Sequence, residues 1–577
     1  MQFFYMKMDF QFFRQGRLLM AFIACAVTIT ATAQVESKGL DPQWQAQYRL
    51  EHPRPNPYAL DASEFKTSRE QGQWHTQYYP IEVTGILPPL RPIRKILDND
   101  FRNPLVKILQ DLFQKINIFK SFDDLMKWLG LNPYPDKNAT GIYKVYVPED
   151  KIINHRFGMG TMDRFGATGF TLSCTVCHSS SLFGKTIFGL TNRFPRANEF
   201  FLSATRAIKV APAPLFQMYT FSMANEMKLY RDVQKNLRSV GAVSPIALGL
   251  DTSLAQVALS LQKRNPDAWA TKNANYEKYP RPDYLDSIPA DSKPAVWWNL
   301  KYKNRWLSDG SVLSGNPILT NILWNEIGRG TDLKDLNSWI DRNEIVIRDL
   351  TSAVFSTEAP RITDFFSENQ IDIHSAKRGE QLFVDNCAGC HGTYHKNWSR
   401  PEFAAASVTE QIKTYQVDYK KQTQVKDVGT DPYRYLGMKS LEKLNELQIS
   451  KNNGIVIKAQ KGYVPPPLVG IWARWPYFHN NSVPNLCELL TPAHLRTKEF
   501  YQGPAVDKNK DFDFECNGYP EPTAAPSAWK KDPELKFDTR KKGMGNMGHD
   551  EDIFLVDGQE ILSPSDKKDL IHFLQTL

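Results

Sequence analysis

The sequence predicts a mainly α chain with long loops, in two similarly built halves behind an N-terminal extension. Three observations carry that prediction. A short pattern, C-x-x-C-H, occurs twice, at Cys174-Thr-Val-Cys177-His178 and Cys387-Ala-Gly-Cys390-His391. Apolar residues recur at helical spacing before the second copy and again at the C-terminus. Strand patterning is weak, and 37 prolines among 577 residues favour short helices joined by loops.

C-x-x-C-H is the attachment pattern for c-type haem. Two thiols form thioether bonds to the edge of the macrocycle, and the adjacent histidine then lies beneath the iron as proximal ligand. With 7 Cys and 11 His in the chain, two chance copies are not expected. A structural zinc site is the alternative, and it requires paired C-x-x-C elements at ribbon spacing. These pairs lie too far apart. The reading is two covalently bound haem c groups in two haem domains. Cys174, Cys177, Cys387 and Cys390 attach them, and His178 and His391 are iron ligands.

Residues 1–33 read as a signal peptide. Arg14 and Arg17 precede the apolar run Leu18 to Thr30, which ends in Ala31-Thr32-Ala33, a small-residue cleavage site. The run is short for a membrane span, and no later segment reaches about 20 apolar residues. An uncleaved anchor is the alternative. Export leads to a periplasmic or secreted protein with no transmembrane anchor after cleavage. Cys487 and Cys516 are then left over in an oxidising compartment, which allows them to pair. Two separate buried thiols are the other possibility.

Residues 34–150 read as an N-terminal extension rich in Pro and Tyr, with one helical stretch from Asn103 to Leu129. Residues 151–365 are the first haem domain. Ahead of Cys174, the Gly spacing from His155 to Gly166 argues for a loop. Leu248 to Gln262 reads as helix, and Trp297-Trp298-Asn299 as an aromatic knot in a loop. Residues 366–577 are the second haem domain. A helix from Ser375 enters the motif, with Leu382 and Phe383 on its apolar side. Ser563 is a good N-cap, Pro564 suits the first helical position, and Asp566 suits the first turn. Leu570, Phe573, Leu574 and Leu577 then line one face of a terminal helix.

Composition excludes other classes. Apolar residues at 41% and charged residues at 23% are ordinary globular values. The net charge of +8 is dispersed, with no basic arm for nucleic acid, though a mildly basic surface suits a small acidic redox partner or electron donor. No phosphate-binding loop, dinucleotide fingerprint or nucleophile elbow stands in a convincing context.

Several motifs add a family resemblance. They are Gly379-Glu-Gln-Leu-Phe383, Val428-Gly429-Thr430-Asp431-Pro432, Pro465-Pro466-Pro467-Leu468 through Trp472, Arg474, Pro476, His479 and Asn480 to Pro484, and Gly545-Asn546-Met547-Gly548-His549. The stretch from about residue 150 to the end resembles the di-haem cytochrome c peroxidase superfamily, and more closely its rubber (latex) oxygenase branch. Trp297-Trp298-Asn299-Leu300-Lys301 extends the likeness into the first half. Two departures stand out. Asn481 replaces the usual Gly, and Val312 and Leu313 lie where a pocket phenylalanine would be sought.

The resemblance implies cytochrome c-like folds for both haem domains. It makes the first haem the reactive one and gives the second haem His549 as distal ligand. Met438, Met544 and Met547 are rivals for that position. For the first haem, His155, Met159 and Met162 are weak distal candidates, and an open distal site is the preferred reading. Trp297 and Trp298 are the candidate catalytic residues, lining the distal pocket or carrying electrons between haems, with plain core packing as the alternative. His479 reads as a structural, hydrogen-bonding histidine. The function expected is an exported di-haem oxidoreductase. Its first haem activates dioxygen or peroxide and its second transfers electrons, with an isoprenoid-like apolar substrate implied by the family. A plain periplasmic electron-transfer cytochrome and a di-haem peroxidase are the alternatives.

Overall fold

The second C-x-x-C-H motif ends a helix, Ile373–Asn386, while the first ends a strand, Ala167–Leu172. This computed structural model describes residues 42–98, 119, 121–151, 153, 155–250, 253–272 and 290–577, of which 44–577 cluster as one unit. The signal-peptide reading falls outside the described residues. So does most of the helix expected from Asn103. Its described end is Phe122–Trp128, capped by Ser121, which accepts from the Asp124 amide.

The mainly α expectation is corrected. Helices make up 42% of the described residues, and antiparallel two-stranded sheets give a mixed α/β chain. Six such sheets occur among the described residues, three of them beside the motifs. Met159–Arg164 pairs with Ala167–Leu172, Ser179–Leu182 with Lys185–Phe188, and Thr393–Lys396 with Thr414–Asp418. The stretch expected as a loop is therefore a hairpin. Phe165 and Gly166 turn it at φ 58° and 76°, the left-handed pair of a type I′ turn. These strands lack visible alternation because both faces are covered. Five of the six residues of Ala167–Leu172 are buried.

The second half follows the expected plan. Ser563 caps the terminal helix Pro564–Gln575, accepting from the Asp566 amide, while the Asp566 carboxylate accepts from the Ser563 amide. This helix packs on Ile373–Asn386. A Cβ on Gly379 would lie 2.0 Å from the Asp569 carbonyl, so only glycine permits the approach. Arg378 donates twice to the Asp569 carboxylate at 2.7 Å, and Phe383 meets Phe573 at 5.2 Å between ring centres. Cys487 and Cys516 form a disulfide.

Two large apolar cores share the molecule. One gathers Trp298, Phe383, Trp472, Trp475 and the terminal helix. The other gathers Trp44, Trp297, Trp339, Phe355 and Met438. The adjacent side chains of Trp297 and Trp298 thus enter different cores. They begin a 3-10 helix, Trp297–Tyr302, where a loop was expected. Residues before 150 contribute directly. Helix Ala62–Tyr78 packs on Glu344–Phe355, with Ser68 donating to Asp349 at 2.6 Å. The helix expected from Leu248 runs from Ser253 to Gln262.

Candidate functional site

Each motif histidine is oriented in the same way. His178 Nδ1 lies 2.8 Å from the Ala295 carbonyl, and His391 Nδ1 lies 2.8 Å from the Pro466 carbonyl. A carbonyl only accepts, so Nδ1 carries the proton in both rings and Nε2 keeps its lone pair. That is the tautomer a histidine needs to ligate a metal through Nε2. Burial pushes His178 down to about 4, against the opposing bond to Ala295, and burial also lowers His391. Both rings are therefore neutral at ordinary pH. Both histidines are only partly buried and keep some accessible surface. Cys174, Cys177, Cys387 and Cys390 are not disulfide-bonded, unlike Cys487 and Cys516. Among the described residues no three His, Cys, Asp or Glu converge on a bare ion.

The two holding loops are tied to each other. Trp298 Nε1 donates to the Val469 carbonyl at 2.9 Å, and Asn299 Nδ2 to the Pro467 carbonyl at 2.8 Å. One loop, 295–299, holds His178, and the other, 466–469, holds His391. Trp297 stacks on the His178 ring at 5.0 Å between centres and meets Phe188 edge-on at 4.9 Å. The tryptophan pair therefore sits beside and behind His178, at the junction of the loops.

His549 faces His391, with ring centres 6.3 Å apart. A metal–nitrogen distance of about 2.0 Å on each side, plus roughly 1.1 Å from nitrogen to ring centre, sums to about that span. His549 Nδ1 is buried without a hydrogen-bond partner, and burial, with His391 and Arg496 nearby, pushes the ring down to about 3. Its backbone is held at φ 59°, a left-handed conformation unusual outside glycine. Three contacts impose it. The His549 amide donates to Val428 O at 2.8 Å. Arg496 Nη1 donates to Asn546 O and Gly548 O, both at 2.7 Å. Asn480 Nδ2 donates to Gly543 O at 3.1 Å and Gly545 O at 3.0 Å. The neighbouring Asn481 also adopts a left-handed φ, 60°, which an Asn side chain tolerates better than most.

The rivals lie elsewhere. Met438 is fully buried in the Trp44 core, Met544 in the Trp298 core, and Met547 is 49% exposed. Met159 and Met162 point into apolar clusters from a strand, and His155 meets Tyr134 edge-on at 6.2 Å. His479 stacks on Tyr463 at 4.0 Å, and its Nε2 is buried without a partner. Val312 is a buried strand residue of the Trp44 core, and the amide of Ala46 donates to the Leu313 carbonyl. An apolar cavity of about 150 Å³ is lined by Leu125, Trp128, Phe170, Phe200 and Phe216 among others, and Leu125 and Phe170 also pack in the apolar cluster that contains Val176.

Residues 462–501 match the family model described as RoxA-like, cytochrome c-like. The chain carries a RoxA-like cytochrome c domain. Such a domain implies haem c and points to haem-dependent oxidoreductase chemistry. The matched stretch of this RoxA-like domain contains Pro466, Arg474, His479, Asn480 and Arg496. Of these, Pro466 holds His391, and Asn480 and Arg496 hold the His549 loop. Two uncharacterized proteins of Sinorhizobium fredii (strain NBRC 101917 / NGR234) are similar to the chain. y4iM is 28% identical over 330 residues, covering 54% of this chain and 69% of its own. y4iJ is 36% identical over 132 residues, covering 22% and 20%.

The Ala295 and Pro466 carbonyls and the buried Arg496 were not singled out from the sequence. A backbone acceptor has no side-chain signature, and the Pro465-Pro466-Pro467 run was the one local signal near it.

Proposed function

We propose that this protein is an exported di-haem c-type cytochrome oxidoreductase of the di-haem peroxidase superfamily, rubber-oxygenase-like in plan. Haem covalently held at both motifs supplies one-electron chemistry and, where an axial position is open, binding of dioxygen or peroxide. Cys174 and Cys177 hold one group, with His178 as its axial ligand. Cys387 and Cys390 would hold the other, with His391 and His549 as its ligands. The observation that carries the reading is the contrast in axial partners. His391 has a second neutral imidazole at the spacing of an axial pair, whereas His178 is backed by Trp297.

The residues then divide the work. His391 and His549, both filled sites in this reading, restrict the second region to passing electrons. Ala295 and Pro466 fix the tautomers of the two proximal rings. Trp298 and Asn299 lock the loops that carry those rings, which holds the two sites in a constant relation. The apolar cavity lined by Leu125, Trp128, Phe170 and Phe200 suits an isoprenoid-like apolar substrate in the first half. No described helix is long and apolar enough to cross a membrane. A small redox protein is the proposed electron source.

Visible spectra of the ferric and reduced protein, with and without carbon monoxide, test this. One low-spin haem that ignores carbon monoxide and one that binds it are expected. Two low-spin haems that both ignore it would establish the electron-transfer cytochrome instead.

A further inference from the structure

We propose that Lys293, Lys303 and Arg474 form a buried cationic cradle that holds haem propionate carboxylates between the two proximal-histidine loops. The inference rests on the two-haem reading. It begins with cations that have no carboxylate partner of their own among the described residues. Lys293 is two residues before Ala295, and its Nζ donates to the carbonyls of Arg474 and Pro476. Arg474 Nη1 donates to Pro467 O at 2.8 Å, one residue beyond the carbonyl that holds His391. Lys303, 6% exposed, follows the Trp297–Tyr302 turn. Arg193 reinforces the positive field, donating to Trp475 O at 2.9 Å and Ala473 O at 3.1 Å, with its guanidinium 3.9 Å over the Trp475 ring.

Against these four cations the nearby carboxylate is Asp309, and it is engaged. Arg434 Nε donates to its Oδ2 at 3.1 Å, and the Ser311 amide to its Oδ1 at 2.9 Å. Burying uncompensated cations is costly, and the cost falls when an anion enters. Burial, aided by the neighbouring Arg474, pushes Lys303 down to about 8 and Lys293 well below the usual lysine range. Lys396 shows the contrast. It is more deeply buried, at 0% exposed, but Ile412 O, Thr414 Oγ1 and Thr576 O accept its three N–H groups. Lys396 is complete within the protein, whereas Lys293 and Arg474 have only backbone carbonyls among the described residues. They also keep accessible surface on internal space. A covalently held haem brings two carboxylates into that space, on the porphyrin edge away from its thioether bonds. Charge-assisted hydrogen bonds from Lys and Arg are the strong form of such a contact.

The test is a spectroelectrochemical titration of the holoprotein and of Lys293→Met, Arg474→Met and the conservative Lys293→Arg and Arg474→Lys. Haem per chain is counted first by pyridine haemochrome. Removing a cation beside a propionate favours the ferric state. Each Met variant should therefore disfavour reduction of at least one haem by around tenfold, about 59 mV for a one-electron couple. Lys293→Arg and Arg474→Lys should stay near the parent. In the parent, the propionate bending bands in the resonance Raman spectrum should show hydrogen-bonded carboxylates, and this holds even if the Met variants fail to fold. Unmoved potentials with two haems present, or bands of free carboxylates, would overturn the cradle alone. A parent potential that follows added phosphate would overturn it in favour of a diffusible anion. A chain with no covalent haem would overturn the two-haem reading and the cradle with it.

Discussion

The two C-x-x-C-H motifs are chemically identical and structurally different. The first is delivered by a strand and left by a second hairpin. The second is delivered by the helix Ile373–Asn386, clamped by the terminal helix Pro564–Gln575. Yet the motif histidine ends in the same state in both, its Nδ1 bonded to a backbone carbonyl at 2.8 Å. The local requirement is a donor–acceptor pair and a free Nε2, and either secondary structure supplies it. What differs is the far side. A strained, triply anchored loop brings His549 to His391, while Trp297 backs His178.

The largest effect should come from erasing one motif. Cys387→Ala with Cys390→Ala is expected to leave one covalent haem per chain, and Cys174→Ala with Cys177→Ala the same. Intact-mass measurement reads both, and a double variant that still carries two haems would break the symmetry of the pair. Next is His549→Ala. It should turn one haem from low-spin to high-spin and let it bind carbon monoxide, with the other haem's spectrum unchanged. If the low-spin signal survives, the second region has no His549 ligand and the two sites are more alike than drawn.

Smaller effects probe the helical clamp that only the second region has. Gly379→Val places side-chain atoms against the Asp569 backbone, and the overlap should cost about 3 kcal/mol, seen as a lowered Tm. Ser563→Ala removes an N-cap and one half of a capping box, so about 1 kcal/mol is expected in denaturant titration. Neither change should alter how His178 responds to exogenous ligands. A shift there would mean that the clamp also supports the first site.

The second region was legible for a physical reason. Its helices are long, one-sided and capped, so Ser563, Pro564, Asp566, Leu570 and Phe573 report their positions through local rules. The strands around the first motif are four to six residues long and covered on both faces, as in Ala167–Leu172, so no alternation marks them. That is why a mainly α chain was expected and a mixed one found.

By itself, the sequence determined the two attachment motifs and the capped terminal helix, and it left the pairing of Cys487 with Cys516 open. The motifs and the helix rest on covalent chemistry or on neighbours within a few residues. Tertiary structure alone decided which carbonyls orient His178 and His391, that His549 rather than Met438 faces His391, and that Lys293 donates to the Arg474 carbonyl. Those relations join residues from 75 to more than a hundred positions apart, as His391 to Pro466 and His178 to Ala295. No local pattern records them, because they exist only once the two cores have packed and their loops have met.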